Sequence, residues 1–114
     1  VYSYEAKWIW DKPERPLKIF ECPASVEPKL ANSIASTALS AYLALNCRDW
    51  ARVDVRLDAA GLPHVLEVNP LPGVLPDPAQ NSCLPKAARA AGIEYDDLIL
   101  RVLEIALARY GMTR

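Results

Sequence analysis

The feature that most constrains the fold is a strictly alternating run followed by a turn and a second apolar run. In WARVDVRLD, residues 50–58, the apolar Val53, Val55 and Leu57 alternate with charged residues, which is the period of a half-buried strand. The sequence AAGLP then predicts a turn, and HVLEVN, residues 64–69, predicts the return strand. The chain is therefore predicted to contain an antiparallel hairpin.

The length of the turn decides which side chains of the hairpin face each other. With a four-residue turn over 59–62, Asp54 is predicted to lie opposite Glu67, and Arg52 opposite Asn69. Two carboxylates would then be neighbours, with a guanidinium and an amide one step away on the same face.

The same register makes three further predictions about this hairpin. It pairs Arg56 with Val65 and Asp58 with Pro63. It also places His64, the only histidine, on the opposite side of its strand from the two carboxylates, as an exposed residue.

Two carboxylate residues whose Cβ atoms lie about 5 Å apart destabilise a strand pair unless a positive charge lies between them. Either Arg52 and Arg56 supply that charge, or a metal ion does. The oxygen ligands of Asp54, Glu67 and Asn69 suit Mg²⁺ or Mn²⁺ rather than zinc. Because Mg²⁺ fills its octahedron with water and phosphate oxygens, such a site implies a phosphate-bearing ligand. An ordinary solvated face of alternating charges stays open as an alternative.

Outside the hairpin, the sequence pattern predicts one further strand, three helices and two long loops. In chain order these are a loop over 1–16, a short strand over 17–22, a long helix over 27–45, a proline-rich loop over 70–83, a short helix over 85–91 ended by Gly92 and a final helix over 94–110. The long helix is predicted to pack through Leu30, Ile34, Ala38 and Leu45. The fold class is α+β, with an antiparallel sheet and flanking helices.

Composition excludes several classes of protein. The 114 residues are 52% hydrophobic, which predicts one domain, 1–114, with a core. The 13 basic residues are balanced by 14 acidic ones, so no nucleic-acid partner is expected. No apolar run approaches the roughly 20 residues of a membrane span. Three widely spaced cysteines predict neither zinc nor disulfides, and thus a cytoplasmic location.

The segment RVDVRLDAAGLPHVLEVNPLPGV resembles the metal-binding hairpin of ATP-grasp ligases, most closely that of D-alanine–D-alanine ligases. YSYEAKW resembles the lid loop of those ligases, and CPA and PKAARAAG recur there as well. The resemblance covers essentially the whole chain and only the last third of a full ligase. It implies the C-terminal half of an ATP-grasp fold. The missing partner would be the N-terminal part of the same enzyme, and the isolated fragment would be inactive.

The resemblance also implies an activity. ATP would phosphorylate the carboxylate of one D-amino acid, and the amine of a second would attack the acyl phosphate to give a dipeptide for peptidoglycan precursors. ATP would be the co-substrate, and two Mg²⁺ or Mn²⁺ ions would be the cofactors. The resemblance further implies that the full-length ligase could form a homodimer.

The resemblance assigns roles to residues on the hairpin and the loop after it. Asp54, Glu67 and Asn69 would be the metal ligands, with Glu67 bridging the two ions beside the ATP phosphates. Arg52 would stabilise the acyl phosphate and the tetrahedral intermediate. Gly73 would offer its backbone N–H to the developing oxyanion.

Three further residues are assigned to substrates. Lys7, in the lid loop, would reach the ATP phosphates, and Ser82, which precedes a helix, would contact the carboxylate of the second substrate. Trp8 would line the pocket of the second substrate, where the ligases often carry a tyrosine. The chain also has Pro70 where the family commonly has threonine.

The loop from Gly73 to Ser82 is longer in this chain than in many of these ligases. Two alternative functions follow from such departures. One is an ATP-grasp ligase for a different amine or a D-hydroxy acid. The other is a non-catalytic binding module.

Overall fold

The structure is a computed structural model that describes residues 14–15 and 20–112. Most of the predicted loop over 1–16 and half of the predicted strand over 17–22 lie outside the described residues. Residues 20–22 are described and are not in a strand, so the predicted strand is wrong over those residues. Pro23 follows them directly and has no N–H to offer a strand ladder.

The described residues form three helices and one antiparallel pair of strands. In chain order the elements are α1 Pro28–Ala44, β1 Arg52–Leu57, β2 Pro63–Asn69, α2 Cys83–Ala90 and α3 Tyr95–Arg109. The sheet has the order β1-β2. The prediction of an α+β fold with an antiparallel sheet and flanking helices is confirmed, and no helix within 20–112 is long and apolar enough to cross a membrane.

The residues divide into two compact units. One unit contains the segment that ends at Ser25 together with Gly73–Leu100. The other contains Val26–Pro72 together with the segment that begins at Arg101. Each candidate site described below lies within a single unit.

In the unit that contains the hairpin, α1 packs against both strands. Pro28 occupies the start of the helix, where a missing N–H costs nothing. Leu30, Ile34 and Ala38 are half-buried, as the periodicity predicts. Leu45 is 63% exposed, so its predicted place on the packing face is wrong. The helix ends at Ala44, and Leu45 is its C-cap residue.

The hairpin has the predicted register at one end only. Arg52 pairs with Asn69 and Asp54 with Glu67, as predicted. Between Asp54 and Val55 the register shifts, which leaves Leu66 as an extra residue in β2.

Beyond the bulge the sequence-based pairing is wrong. Arg56 pairs with His64 rather than Val65, and Leu57 rather than Asp58 pairs with Pro63. Since alternation puts Arg56 on the face of Asp54, His64 also lies on that face, contrary to its predicted position.

The turn itself explains why Asp58 does not pair in the ladder. Its carboxylate Oδ1 accepts the backbone N–H groups of Ala60 and Leu62, each at 2.9 Å. Its own N–H donates to the carbonyl of Leu62 at 3.0 Å. Asp58 thus closes the turn as a local cap, and Pro63 has no N–H with which to pair.

The other unit contains the predicted proline-rich loop and α2. The helix begins at Cys83, two residues earlier than predicted, and accommodates Pro85 in its first turn. Its C-terminus forms a Schellman motif, because Gly92 donates to Arg89 and Ile93 donates to Ala88. Gly92 has a φ of +77°, which confirms its predicted role at the helix end.

Few side chains are fully enclosed. Among the described residues, the buried ones are Pro72, Ser82 at 5% exposure, Pro85 and Ala88 at 8%. The residues that the structure describes therefore do not form the core that the composition predicts. Two strands and three helices offer too few layers to cover both sides of each element.

Candidate functional site

A guanidinium lies between the two opposed carboxylates of the hairpin. Arg52 donates from Nε to Asp54 Oδ1 at 2.8 Å and from Nη2 to Asp54 Oδ2 at 3.0 Å. The same Nη2 donates to Glu67 Oε1 at 3.2 Å. Arg52, one of the two arginines predicted to separate these carboxylates, therefore lies between them.

The site is open to solvent, and its three charged side chains differ in how far they are exposed. The Arg52 side chain is 28% exposed, that of Asp54 41% and that of Glu67 58%. Because Arg52 is the most enclosed of the three, it forms the floor of the cluster. Glu67 is the carboxylate best placed to meet a ligand that arrives from solvent.

Asn69 has a structural bond as well as a predicted functional role. Its Oδ1 accepts the N–H of Leu71 at 3.0 Å, which forms an Asx turn where β2 ends. An amide oxygen has a second lone pair, so this bond leaves one acceptor position available. Asn69 pairs with Arg52 at the end of the ladder that β1 and β2 form.

The donor set of this cluster fits a hard cation. Asp54, Glu67 and Asn69 present only oxygen atoms, which Mg²⁺ and Mn²⁺ prefer. Within the described residues no group of three or more His, Cys, Asp or Glu side chains could hold a metal ion. Two carboxylates and an amide fit Mg²⁺ nonetheless, since it takes one or two carboxylates and completes its shell with water and phosphate.

The turn of the hairpin carries a second acidic group. Asp58 Oδ2 lies 2.9 Å from Nε2 of His64. The backbone N–H of Leu62, and then the hydrogen bond to His64, hold the pKa of the Asp58 carboxyl below its ordinary value of 3.8. This pair was not predicted, because the bulge at Leu66 changes the register of the strand that carries His64.

In the other unit, Gly73 and Ser82 are brought together. Ser82 Oγ donates to the carbonyl of Gly73 at 2.9 Å and accepts the N–H of Leu75 at 3.1 Å. Gly73 itself is exposed. Among the described residues, a Cβ added to Gly73 would meet only Ser82 Oγ, at 3.9 Å, which is ordinary van der Waals contact.

One residue that contacts this loop was not predicted from the sequence. Tyr95, the first residue of α3, donates from its hydroxyl to the carbonyl of Val74 at 2.9 Å. The two residues are 21 positions apart, and nothing in the local pattern around Tyr95 indicates the contact. Lys7 and Trp8, the predicted phosphate and substrate residues of the lid loop, lie outside the described residues.

Comparison with known proteins places the chain in a family. The family model described as D-ala D-ala ligase C-terminus matches residues 1–104. A D-alanine–D-alanine ligase of Nitrosospira multiformis is 38% identical over 93% of this chain and 32% of its own length. One from Pelotomaculum thermopropionicum is 39% identical over the entire chain and 33% of its own length.

A third relative, D-alanine–D-alanine ligase B of Chromobacterium violaceum, is 39% identical over 90% of this chain and 31% of its own length. The antiparallel hairpin and the three helices are consistent with the C-terminal part of an ATP-grasp fold. The chain belongs to the D-alanine–D-alanine ligase C-terminal family, and it spans about a third of the length of the curated relatives it matches.

Proposed function

We propose that this chain is the C-terminal catalytic portion of an ATP-dependent D-alanine–D-alanine ligase-like enzyme. The parent enzyme activates one D-amino acid as an acyl phosphate and joins it to the amine of a second, producing a dipeptide for peptidoglycan precursors. The observation that carries the proposal is the Arg52 guanidinium, held between Asp54 and Glu67 on the hairpin face. Family membership over residues 1–104 supports the same conclusion.

Asp54, Glu67 and Asn69 are the residues that would hold Mg²⁺ or Mn²⁺, with Glu67 shared by two ions. Bound metal would neutralise the phosphate charges of ATP and so favour phosphoryl transfer. Glu67 is also the most exposed member of the cluster, which suits a contact with the metal–phosphate complex.

Arg52 supplies a fixed positive charge to the same face. Its two hydrogen bonds to Asp54 hold the guanidinium plane in one orientation. Such a group stabilises negative charge that develops on the acyl phosphate and on the tetrahedral intermediate, without reorganising during the reaction.

Gly73 and Ser82 serve the second half of the reaction. The backbone N–H of Gly73 would donate to the oxyanion, and the absence of a side chain lets substrate approach the backbone closely. Ser82 would contact the carboxylate of the second substrate. Its hydroxyl proton is given to the Gly73 carbonyl in this structure, so that contact requires the proton to turn toward the carboxylate.

The remaining assignments complete the proposal. Lys7 would reach the ATP phosphates and Trp8 would shape the pocket of the second substrate. The parent protein would act in the cytoplasm, where ATP is available. The three cysteines of this chain are free thiols in the structure, which is compatible with a reducing compartment. The N-terminal part of the same enzyme would supply the rest of the nucleotide and first-substrate sites.

The test is product formation by the full-length protein with ATP and Mg²⁺. A panel of D-alanine, other D-amino acids and D-hydroxy acids is offered as second substrate, and products are identified by mass spectrometry. D-alanyl-D-alanine as the main product supports the proposal. A mixed dipeptide or a depsipeptide as the main product identifies a ligase of different specificity. No metal-dependent product from any substrate favours a binding module.

A further inference from the structure

The three residues Gly73, Val74 and Leu75 are held by two hydroxyl groups. Ser82 Oγ bonds the Gly73 carbonyl at 2.9 Å and the Leu75 N–H at 3.1 Å. Tyr95 bonds the intervening Val74 carbonyl at 2.9 Å. Among the described residues, no backbone–backbone hydrogen bond involves these three residues. Within the described part of the chain, two side chains rather than regular secondary structure therefore hold their conformation.

These bonds fix the peptide groups that flank Val74. Ser82 is buried and the Tyr95 side chain is half-buried, so both hydroxyl groups are themselves held in place. Gly73 is exposed and is the first residue of this segment. Pinning the next peptide groups limits the directions in which the Gly73 N–H can point.

The two hydroxyls differ in what they can do during a reaction. The Ser82 proton has to leave the Gly73 carbonyl when that hydroxyl binds a substrate carboxylate, because a hydroxyl has only one proton to donate. The Tyr95 hydroxyl has no such second task. Its bond to Val74 is the one that can hold the loop throughout the cycle.

We propose that Tyr95 is a positioning residue, whose phenol holds the Gly73–Leu75 backbone so that the Gly73 N–H keeps its orientation toward the oxyanion. This inference rests on the function proposed above. Removing the hydroxyl alone, in Tyr95→Phe, keeps the ring and its packing. Loss of one neutral hydrogen bond predicts a fall in kcat of about three- to ten-fold, with KM for ATP unchanged.

The experiment measures kcat, both KM values and amide hydrogen exchange of the segment 73–82 in the full-length enzyme. Tyr42→Phe is the matched control, since it makes the same chemical change in α1, which belongs to the other unit. The proposal predicts lower kcat and faster exchange of the segment in Tyr95→Phe, and neither change in Tyr42→Phe. A purely structural role would alter exchange without a selective loss of kcat.

Several outcomes would overturn the inference. Wild-type kcat in Tyr95→Phe contradicts the positioning role, and so does an equal loss of kcat in Tyr42→Phe. If the wild-type protein makes no dipeptide with any substrate, the proposed function has failed. Hydrogen exchange alone then tests whether Tyr95 anchors the loop. Unchanged hydrogen exchange in Tyr95→Phe then contradicts the anchoring of the loop by Tyr95, whereas faster exchange supports it.

Discussion

Arg52 donates two hydrogen bonds to the carboxylate of Asp54, at 2.8 and 3.0 Å, and thereby engages both of its oxygen atoms. The third bond of this guanidinium reaches Glu67. One arginine thus screens two carboxylates that would otherwise repel each other across the strands. The same arrangement means that a metal ion at this face must share the carboxylates with a positive charge.

Replacing Arg52 should have opposite effects on metal binding and on turnover. In Arg52→Gln the positive charge beside the carboxylates is lost, so Mn²⁺ measured by electron paramagnetic resonance without ATP should bind several-fold more tightly. The kcat should fall by about ten-fold or more, because the charge that stabilises the transition state is lost as well.

The control for this prediction is Arg56→Gln. Arg56 is exposed, lies four residues further along the same strand and pairs in register with His64. Its removal should change Mn²⁺ affinity and kcat less than removal of Arg52. Weaker Mn²⁺ binding in Arg52→Gln would show that the carboxylates depend on Arg52 for their arrangement, which contradicts this prediction.

Two glycines should separate function from stability. Gly73→Ala has room for its Cβ, at 3.9 Å from Ser82 Oγ, so the free energy of unfolding should change by less than about 0.5 kcal/mol. Its kcat/KM should nevertheless fall by about ten-fold or more, because the methyl group blocks close approach of substrate to the backbone. Chemical denaturation and steady-state kinetics of the full-length protein measure the two effects.

Gly61→Ala is the reciprocal control. Gly61 has a φ of +78° in the hairpin turn and nothing within 4 Å of an added Cβ. The strained conformation should cost about 1 kcal/mol of stability, with kcat unchanged. A large loss of stability in Gly73→Ala would mean that the loop itself, and not the substrate, requires glycine there.

The carboxyl group of Asp58 should titrate below 3.8, its ordinary value, in the folded protein. Because the folded-state pKa is depressed, the stabilisation by this group is present above the unfolded pKa and is lost as pH falls through the folded pKa. Carbon-13 NMR of the Asp58 carboxyl in the full-length protein measures the pKa directly.

His64→Gln should raise the Asp58 pKa only in part. The largest cause of the depression, the N–H of Leu62, remains in that variant, and the N–H of Ala60 remains as well. A wild-type pKa at or above the ordinary value would show that the carboxylate does not cap the turn in solution.

The sequence was sufficient for the elements with strong periodicity. The helix over 27–45 is observed as Pro28–Ala44 and the final helix over 94–110 as Tyr95–Arg109. Both have a sustained apolar period, and Asp96 and Asp97 in the first turn of the final helix favour its start. The pairing of Asp54 with Glu67 was also predicted correctly.

The remainder required three-dimensional information. A sequence pattern that repeats every two residues does not show where one extra residue is inserted. The bulge at Leu66 was therefore not predicted, and the strand face on which His64 lies was predicted wrongly. The contact of Tyr95 with Val74 spans 21 positions and depends on how the loop returns to the start of a helix. Asp49 and Arg109, which form an ion pair 60 positions apart, illustrate the same limit. That contact raises the pKa of the Arg109 guanidinium.

The most direct test of the metal and phosphate site is phosphate release from ATP by the full-length protein with D-alanine and Mg²⁺. Asp54→Asn and Glu67→Gln keep the size of each side chain and remove one negative charge. Glu104→Gln, at an exposed position of α3, is the matched control. We predict losses of about 100-fold or more in kcat for both hairpin variants and none for the control. Wild-type turnover in both hairpin variants would contradict the account.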